Sequence, residues 1–318
     1  MAGGKWIPGL TADTPLADAA RRVLTVRLEL VRDGLPAALH EAEEDPEHVH
    51  QLRVATRRAR AALDIFADCL PAKVHKRARR SLRDLRRAAG EARDWDVFLM
   101  SMAERQRKPP ARQRPGLDFL TGYALSQRLA AQEHLRAAAE DQPFAGDRLL
   151  ADTVAAVHRP HDDSLGHDLI DLARPVLGGL LKELETAAGR DLHDYAQLHQ
   201  VRIAGKRLRY AMEVFADCFE PAFKDDLYPA VEQMQEILGN ANDSHVATER
   251  LSALRDRARA LLGDQVKRAL PGIEAILRYH AERLPKEREH FEKWWAQWCE
   301  TGGEAAFVAL LKKQAAPV

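Results

Sequence analysis

The chain has 318 residues, enough for two domains of roughly 100–200 residues or one large one, with a sizeable core either way. Hydrophobic residues at 46% and charged residues at 30% exclude a wholly disordered chain. Lysine plus arginine equals aspartate plus glutamate at 48 each, so global charge names no partner and any signal lies in how charge is distributed. The three cysteines (Cys69, Cys218, Cys299) are too few and too scattered for a disulfide framework or a zinc site, which predicts a reducing, cytoplasmic setting. The longest apolar run is the seven residues 305–311, far below the roughly 20 a membrane span needs, and the N-terminus lacks an apolar signal core.

Proline placement sets the elements. No proline occurs in 47–70, 72–108, 176–220 or 230–270, and these stretches are rich in Ala, Leu, Arg and Glu. Proline inside a helix costs about 3 kcal/mol, so such stretches read as helices and the proline-bearing ones as joints. Sustained period-2 alternation is absent, so the fold class is all-α. In chain order, helices are predicted near 15–42, 47–69, 73–105 and 117–140, then near 166–189, 194–219, 223–258 and 265–300. The third is expected to break at Gly90 and the seventh around Gly239. The segment 141–162 reads as a connection and 301–318 as a partly frayed tail.

The second set of four repeats the first. Residues 50–70 (HQLRVATRRARAALDIFADCL) and 199–219 (HQVRIAGKRLRYAMEVFADCF) are identical at eleven of 21 positions at a constant offset of 149. The offset continues to GxAxDxxV at Gly90–Val97 and Gly239–Val246. Asp18–Leu24 matches Asp171–Leu177 at offset 153. The expected architecture is therefore one domain, 14–300, made of two pseudo-twofold-related four-helix bundles, 14–140 and 163–300.

Within the repeated helix the apolar residues fall on one side. Opposite them His50, Arg53, Arg57, Arg60 and Asp64 line up at i, i+3, i+7, i+10 and i+14, with Arg58 beside them. The second copy aligns His199, Arg202, Lys206, Arg209 and Glu213, with Arg207 beside them. Such a stripe spans about 15 Å from histidine to last cation. Between Arg53 and Arg93 stand 13 Lys/Arg against four Asp/Glu, and Lys73, Lys76, Arg80, Arg83 and Arg87 form a second basic line on the third helix. The matching helix of the second half carries Asp225, Asp226, Glu232 and Glu236 instead, so the halves differ electrostatically.

A charged helix stripe is ordinarily a solvated face. These stripes lack the i,i+4 acids that a merely soluble face carries, and like charges at that spacing repel. Arginine's planar fork suits phosphate. One exposed ion pair contributes only about 0–1 kcal/mol, so the pattern favours a long polyanion over a single phosphate.

The motifs HxxRVxxRRxR at 50–60, HxxRIxxKRLRY at 199–210 and the twice-occurring GxAxDxxV resemble those of the conserved histidine α-helical domain (CHAD) family over about 14–300. The resemblance implies two pseudo-symmetric helical bundles around a basic pore, non-catalytic binding of inorganic polyphosphate and association with polyphosphate granules. It implies ligand contacts at His50, Arg53, Arg57, Arg58, Arg60, His199, Arg202, Lys206, Arg207 and Arg209. The line Lys73, Lys76, Arg80, Arg83 and Arg87 is added from charge alone. The ExExK motif of the tunnel domain often fused to such chains is missing, so a stand-alone module is expected.

No cofactor or metal is expected, since the stripe histidines have cations as neighbours. His158, His161, Asp163 and His167 have crude metal-ligand spacing in the connecting segment. The glycine motif lacks the GK[ST] of a phosphate loop, so Asp94 and Asp243 are expected to cap a helix or to pair with stripe cations. Cys69 and Cys218 are expected in the core, and Trp294, Trp295 and Trp298 in packing. The alternatives are a general polyanion or nucleic-acid binder and, below it, a polyphosphate-processing enzyme. Membrane association is not expected, and the sequence leaves the oligomeric state open.

Overall fold

The computed structural model describes residues 4–105, 107–140, 148–160 and 166–313. Among these the chain is all-α, without β-strands. The first half contains α1 (Leu16–His40), α2 (Glu47–Ile65), α3 (Ala72–Arg105) and α4 (Arg114–Glu140); a short α5 (Arg148–Ala155) follows. The second contains α6 (Leu169–Ala188), α7 (Tyr195–Phe215), α8 (Tyr228–Leu262) and α9 (Leu270–Glu300), with α10 (Gly303–Lys312) at the end.

The predicted breaks do not occur. Helices α3 and α8 run unbroken through Gly90 and Gly239. A helix-interior glycine costs only about 1 kcal/mol, and burial along these long helices outweighs it. The connection and the tail hold more structure than the sequence suggested. Leu149 of α5 and Val157 after it are buried, and α10 inserts Phe307 and Leu311 into the core. Residues before the first helix also pack inward, through Ile7, Leu10 and Ala12. Cys69 and Cys218 are buried as expected. Trp294, Trp295 and Trp298 pack against the core, and the Trp294 indole donates to Gln233.

Two contacts relate the halves, and both are reciprocal. At the starts of α1 and α6, Leu16 N–H donates to the His167 carbonyl and Leu169 N–H to the Thr14 carbonyl, each at 2.9 Å. These bonds interchange under the offset of 153 seen in the sequence. Far along the molecule, α4 and α9 cross where Pro115-Gly116-Leu117 meets Pro271-Gly272-Ile273. A Cβ on Gly116 would lie 2.1 Å from the Ala269 carbonyl oxygen, and one on Gly272 would lie 2.3 Å from that of Gln113. Only glycine permits that approach.

The cores follow these contacts rather than the repeat boundary. A large core joins α1, α2, α6 and α7 with the inner halves of α3 and α8. A smaller one, built on Met102, Leu117, Leu120, Leu251, Ile273 and Ile276, joins the outer ends of α3, α4, α8 and α9. Two clusters shared by both halves, held apart by the length of α3 and α8, leave an unfilled space between them.

Candidate functional site

That space is a cavity of about 1130 Å³. Along α3 it runs from Arg79 to Ser101, about 33 Å at 1.5 Å per residue. Eleven arginine and lysine side chains line it against three carboxylates, Asp64, Asp94 and Asp243. The repeated motif supplies the centre. Arg53, Arg57 and Arg60 from α2 face Arg202, Lys206 and Arg207 from α7, with His199 at the start of the second stripe. The apolar sides of α2 and α7 are anchored by Leu52, Ala59 and Leu63 and by Leu198, Val201 and Leu208, all fully or nearly fully buried. Packing on one side thus forces the cations to the other.

Crowding has measurable consequences. Burial, followed by the Arg57 charge, lowers the Arg53 guanidinium to about 10 even though Asp94 lies 3.5 Å away. Burial and the charges of Arg57, Arg202, Arg53 and Arg209 bring Lys206 down to about 5. Burial, then Arg202 and Lys206, also lowers His199. The cavity is a concentration of positive charge held without a full set of counter-ions, a state that an entering polyanion relieves.

The carboxylates of the glycine motif moderate this charge. Asp94 sits between Arg53 and Arg250, the latter at 3.1 Å, and Asp243 acts on both Arg53 and Arg202. Both lie inside continuous helices, so the pairing half of the sequence expectation holds and the capping half does not.

Seven of the sequence-predicted residues line the cavity: Arg53, Arg57, Arg60, His199, Arg202, Lys206 and Arg207. The others lie elsewhere. The Arg58 fork is bidentate to Glu213, at 2.6 and 3.1 Å, deep in the protein. Arg209 reaches Glu232 at 3.4 Å. His50 is half-buried outside the lining, its Nδ1 without a partner; burial and then Arg93 lower its pKa. Lys73, Lys76, Arg80, Arg83 and Arg87 are exposed on the outside of α3. Nor are they uncompensated, since Asp84 pairs with Arg83 at 2.9 Å and with Arg80 at 3.9 Å, and Glu91 with Arg87 at 3.8 Å.

In their place α3 contributes Arg79 and Arg86, and α8 and α9 contribute Arg250, Arg257 and Arg283. Arg79 and Arg86 are seven residues apart, on the same flank as Asp94 and Val97. That flank, beside the apolar face rather than opposite it, looks into the cavity.

Among the described residues no three His, Cys, Asp or Glu side chains converge as a metal site. The spacing from His158 to His167 passes through 161–165, outside the described residues. No described helix is long and apolar enough to cross a membrane.

The CHAD domain model matches residues 16–252 of this chain. The chain belongs to the CHAD domain family. Two solved structures share the fold. One is the crystal structure of the CHAD domain from the plant Ricinus communis, with TM-score 0.70 and 25% identity, covering 92% of this chain and 94% of that one. The other is PptA from Streptomyces chartreusis, with TM-score 0.67 and 17% identity, covering 89% of this chain and all of that one. No curated protein matches the sequence. In this CHAD domain both repeated motifs converge on the cavity: the arginine-rich helices supply its centre, and GxAxDxxV supplies the carboxylates beside them.

Proposed function

We propose that this CHAD domain binds inorganic polyphosphate in the cavity and does not turn it over. The observation that carries the reading is the density of basic side chains there, eleven arginines and lysines against three carboxylates, with Lys206 and His199 depressed by burial and then by their cationic neighbours. A chain of contiguous phosphates brings several negative charges into a short length. Charge-assisted bonds to arginine forks then form in a partly desolvated site, where they are stronger than on a surface. Tethering of the phosphates makes each successive contact intramolecular.

The non-catalytic part of the proposal rests on the carboxylates. Asp94 is held between Arg53 and Arg250, and Asp243 acts on Arg53 and Arg202, so neither is an available anchor for the Mg²⁺ that phosphoryl transfer ordinarily employs. In a cell, such binding would place the protein on polyphosphate granules in the cytoplasm.

The test is titration of the purified protein with long-chain polyphosphate and with single-stranded DNA of matched charge, across a salt series, with orthophosphate release followed in Mg²⁺. Polyphosphate binding that survives 150 mM salt and exceeds DNA binding, with no release, is expected. The affinity should fall with log salt at a slope reflecting the number of phosphates engaged. Equal binding of the two polymers would favour a general polyanion binder, and sustained release would make the protein an enzyme.

A further inference from the structure

The two ends of the cavity differ in kind. Toward Arg79 and Arg86 the lining is cationic. Beyond Asp94 it gains an aromatic and apolar wall, with Trp95, Val97, Phe98, Tyr123, Val246 and Leu254, set among Arg250, Arg257 and Arg283. Trp95 is set edge-to-face against Phe98 at 5.9 Å and Tyr123 at 5.8 Å, which fixes its plane. The Arg250 guanidinium stands 5.1 Å from the Trp95 ring while bound to Asp94, and so joins the aromatic end to the cationic one. Inorganic polyphosphate has no group that gains from this wall, and an apolar wall inside a charged cavity signals an apolar part of the ligand.

A second observation comes from α9. His280 lines the cavity, is 93% buried by its 7% exposure, and has neither ring nitrogen hydrogen-bonded. Arg105 and Arg283 act on its charge, which places it at this same end, one turn beyond Ser101. A buried polar side chain without a partner is rare and calls for an occupant. Burial, then Arg105 and Arg283, holds the imidazole at about 4, so it is neutral and offers one donor and one acceptor.

We infer that the cavity also accepts a nucleoside polyphosphate, its phosphates on the Arg53–Arg57–Arg202–Lys206 cluster and its base against Trp95, at the end of the cavity that also holds His280. This rests on the phosphate-binding reading above and extends it to one ligand class. A nucleic acid fits less well. It carries one base for every phosphate, whereas the cavity gathers Trp95, Phe98 and Tyr123 at one place, and Tyr210, the aromatic ring among the central cations, is buried. A single base on several contiguous phosphates matches that arrangement.

The experiment compares ATP with inorganic tripolyphosphate, both without divalent cations, on the intact protein and on Trp95→Leu and the charge-neutral Val97→Gln. Val97 is 37% exposed, so its replacement tests the same end without disturbing packing. The intact protein is expected to bind ATP at least tenfold more tightly than tripolyphosphate. Both variants should bring the ratio close to one while tripolyphosphate affinity stays within about twofold, which also reports that the variant is folded. Should Trp95→Leu not fold, Val97→Gln alone decides. Equal affinities in the intact protein, or an equal loss of both ligands in a folded variant, would overturn the inference and leave phosphate binding standing. Failure of both ligands to bind would remove both readings.

Discussion

Asp64 and Glu213 occupy the same place in the repeated motif, fourteen residues after its histidine, and have opposite surroundings. Asp64 stands at the cationic end of the cavity, with 43% of its side chain exposed, sharing Arg79 at 2.7 Å with Arg60 at 3.9 Å. Glu213 has no exposed side chain. It accepts two bonds from Arg58 and one of 2.8 Å from the Tyr228 hydroxyl, and Arg27 of α1 lies 3.6 Å away. That group ties α1, α2, α7 and α8 into one core. Duplicated residues therefore need not keep duplicated work. The middle of each stripe faces the cavity, whereas its end stays in the lining, partly exposed, in one half and closes the inter-half junction in the other. The same divergence explains Arg58 and Arg207, equivalent by sequence. One is bound to Glu213, while the other lines the cavity and contacts Glu183.

The largest effect should come from breaking that asymmetry. Glu213→Ala leaves Arg27 and Arg58 buried without their counter-charge. Removing one member of a buried pair costs about 3–5 kcal/mol, so a fall in Tm of about 5–7 °C is expected in thermal unfolding. Asp64→Ala, at the exposed equivalent, should change stability by less than about 1 kcal/mol. Similar losses in the two variants would mean that the comparison misplaces the junction.

Next in size is a contrast between inward and outward cations. Arg53→Ala/Arg57→Ala, and separately Arg202→Ala/Lys206→Ala, should weaken polyphosphate binding by about 100-fold or more, roughly 2.7 kcal/mol. Arg80→Ala/Arg83→Ala/Arg87→Ala removes one more charge, yet should weaken it less than about fivefold, because these side chains face solvent and already pair with Asp84 and Glu91. If the triple variant equals or exceeds the double variants, binding runs along the outside of α3 and the cavity is incidental.

The sequence made the cavity's centre legible and its boundaries obscure, for physical reasons. A helix with a strong apolar face announces its opposite face, and for α2 and α7 that face is the one enclosed. For α3 the same rule points the wrong way. Arg80 and Arg87 do lie opposite Leu82, Leu85 and Ala89, but a helix packed on one side and flanking a cavity on another presents the cavity with an intermediate line. The heptad Arg79, Arg86, Arg93 leading into Asp94 was visible as a pattern, but nothing in the helix itself said which flank was enclosed. Arg58 and Arg209 were misplaced because a stripe pattern does not register acids from distant helices. Glu213 and Glu232 lie 155 and 23 residues away from them. The Pro-Gly pairs at 115–116 and 271–272 escaped notice because their offset is 156, against 149 for the motif, and close approach of two helices leaves no periodicity.

Those glycines supply a smaller prediction. Gly116→Ala or Gly272→Ala places a methyl within 2.1–2.3 Å of a backbone carbonyl. Overpacking of this kind costs about 1–3 kcal/mol. The strain sits at the far end of the cavity, beside the smaller core. Hydrogen exchange should therefore accelerate first in the outer ends of α3, α4, α8 and α9, while the Glu213 junction stays protected. Uniform acceleration would indicate that the two cores unfold as one unit.

The smallest effect sharpens the comparison between Arg57 and Lys206, its equivalent across the cavity. The lysine does not keep its charge there, because burial and four neighbouring guanidiniums hold Lys206 at about 5. At pH 7 its amine is neutral in the empty protein, and bound phosphate raises it toward the ordinary value. Binding should then take up close to one proton at pH 7, readable by calorimetry in buffers of different ionisation enthalpy. Affinity should decline as pH rises from 6 to 8, by at most tenfold per unit, and Lys206→Met should abolish the uptake. Stability moves the other way. Between about 5 and 10.5 the unfolded chain binds the proton that the folded one lacks, so this residue makes unfolding harder as pH rises and is most destabilising below 5. Lys206→Met should therefore raise Tm at pH 6 by on the order of 3 °C, an advantage that disappears above pH 10.5, while the same variant loses phosphate affinity. A variant that lost affinity without gaining stability would show Lys206 already charged in the empty cavity, balanced by Asp94 and Asp243, and the two sides of the cavity would then be electrostatically alike.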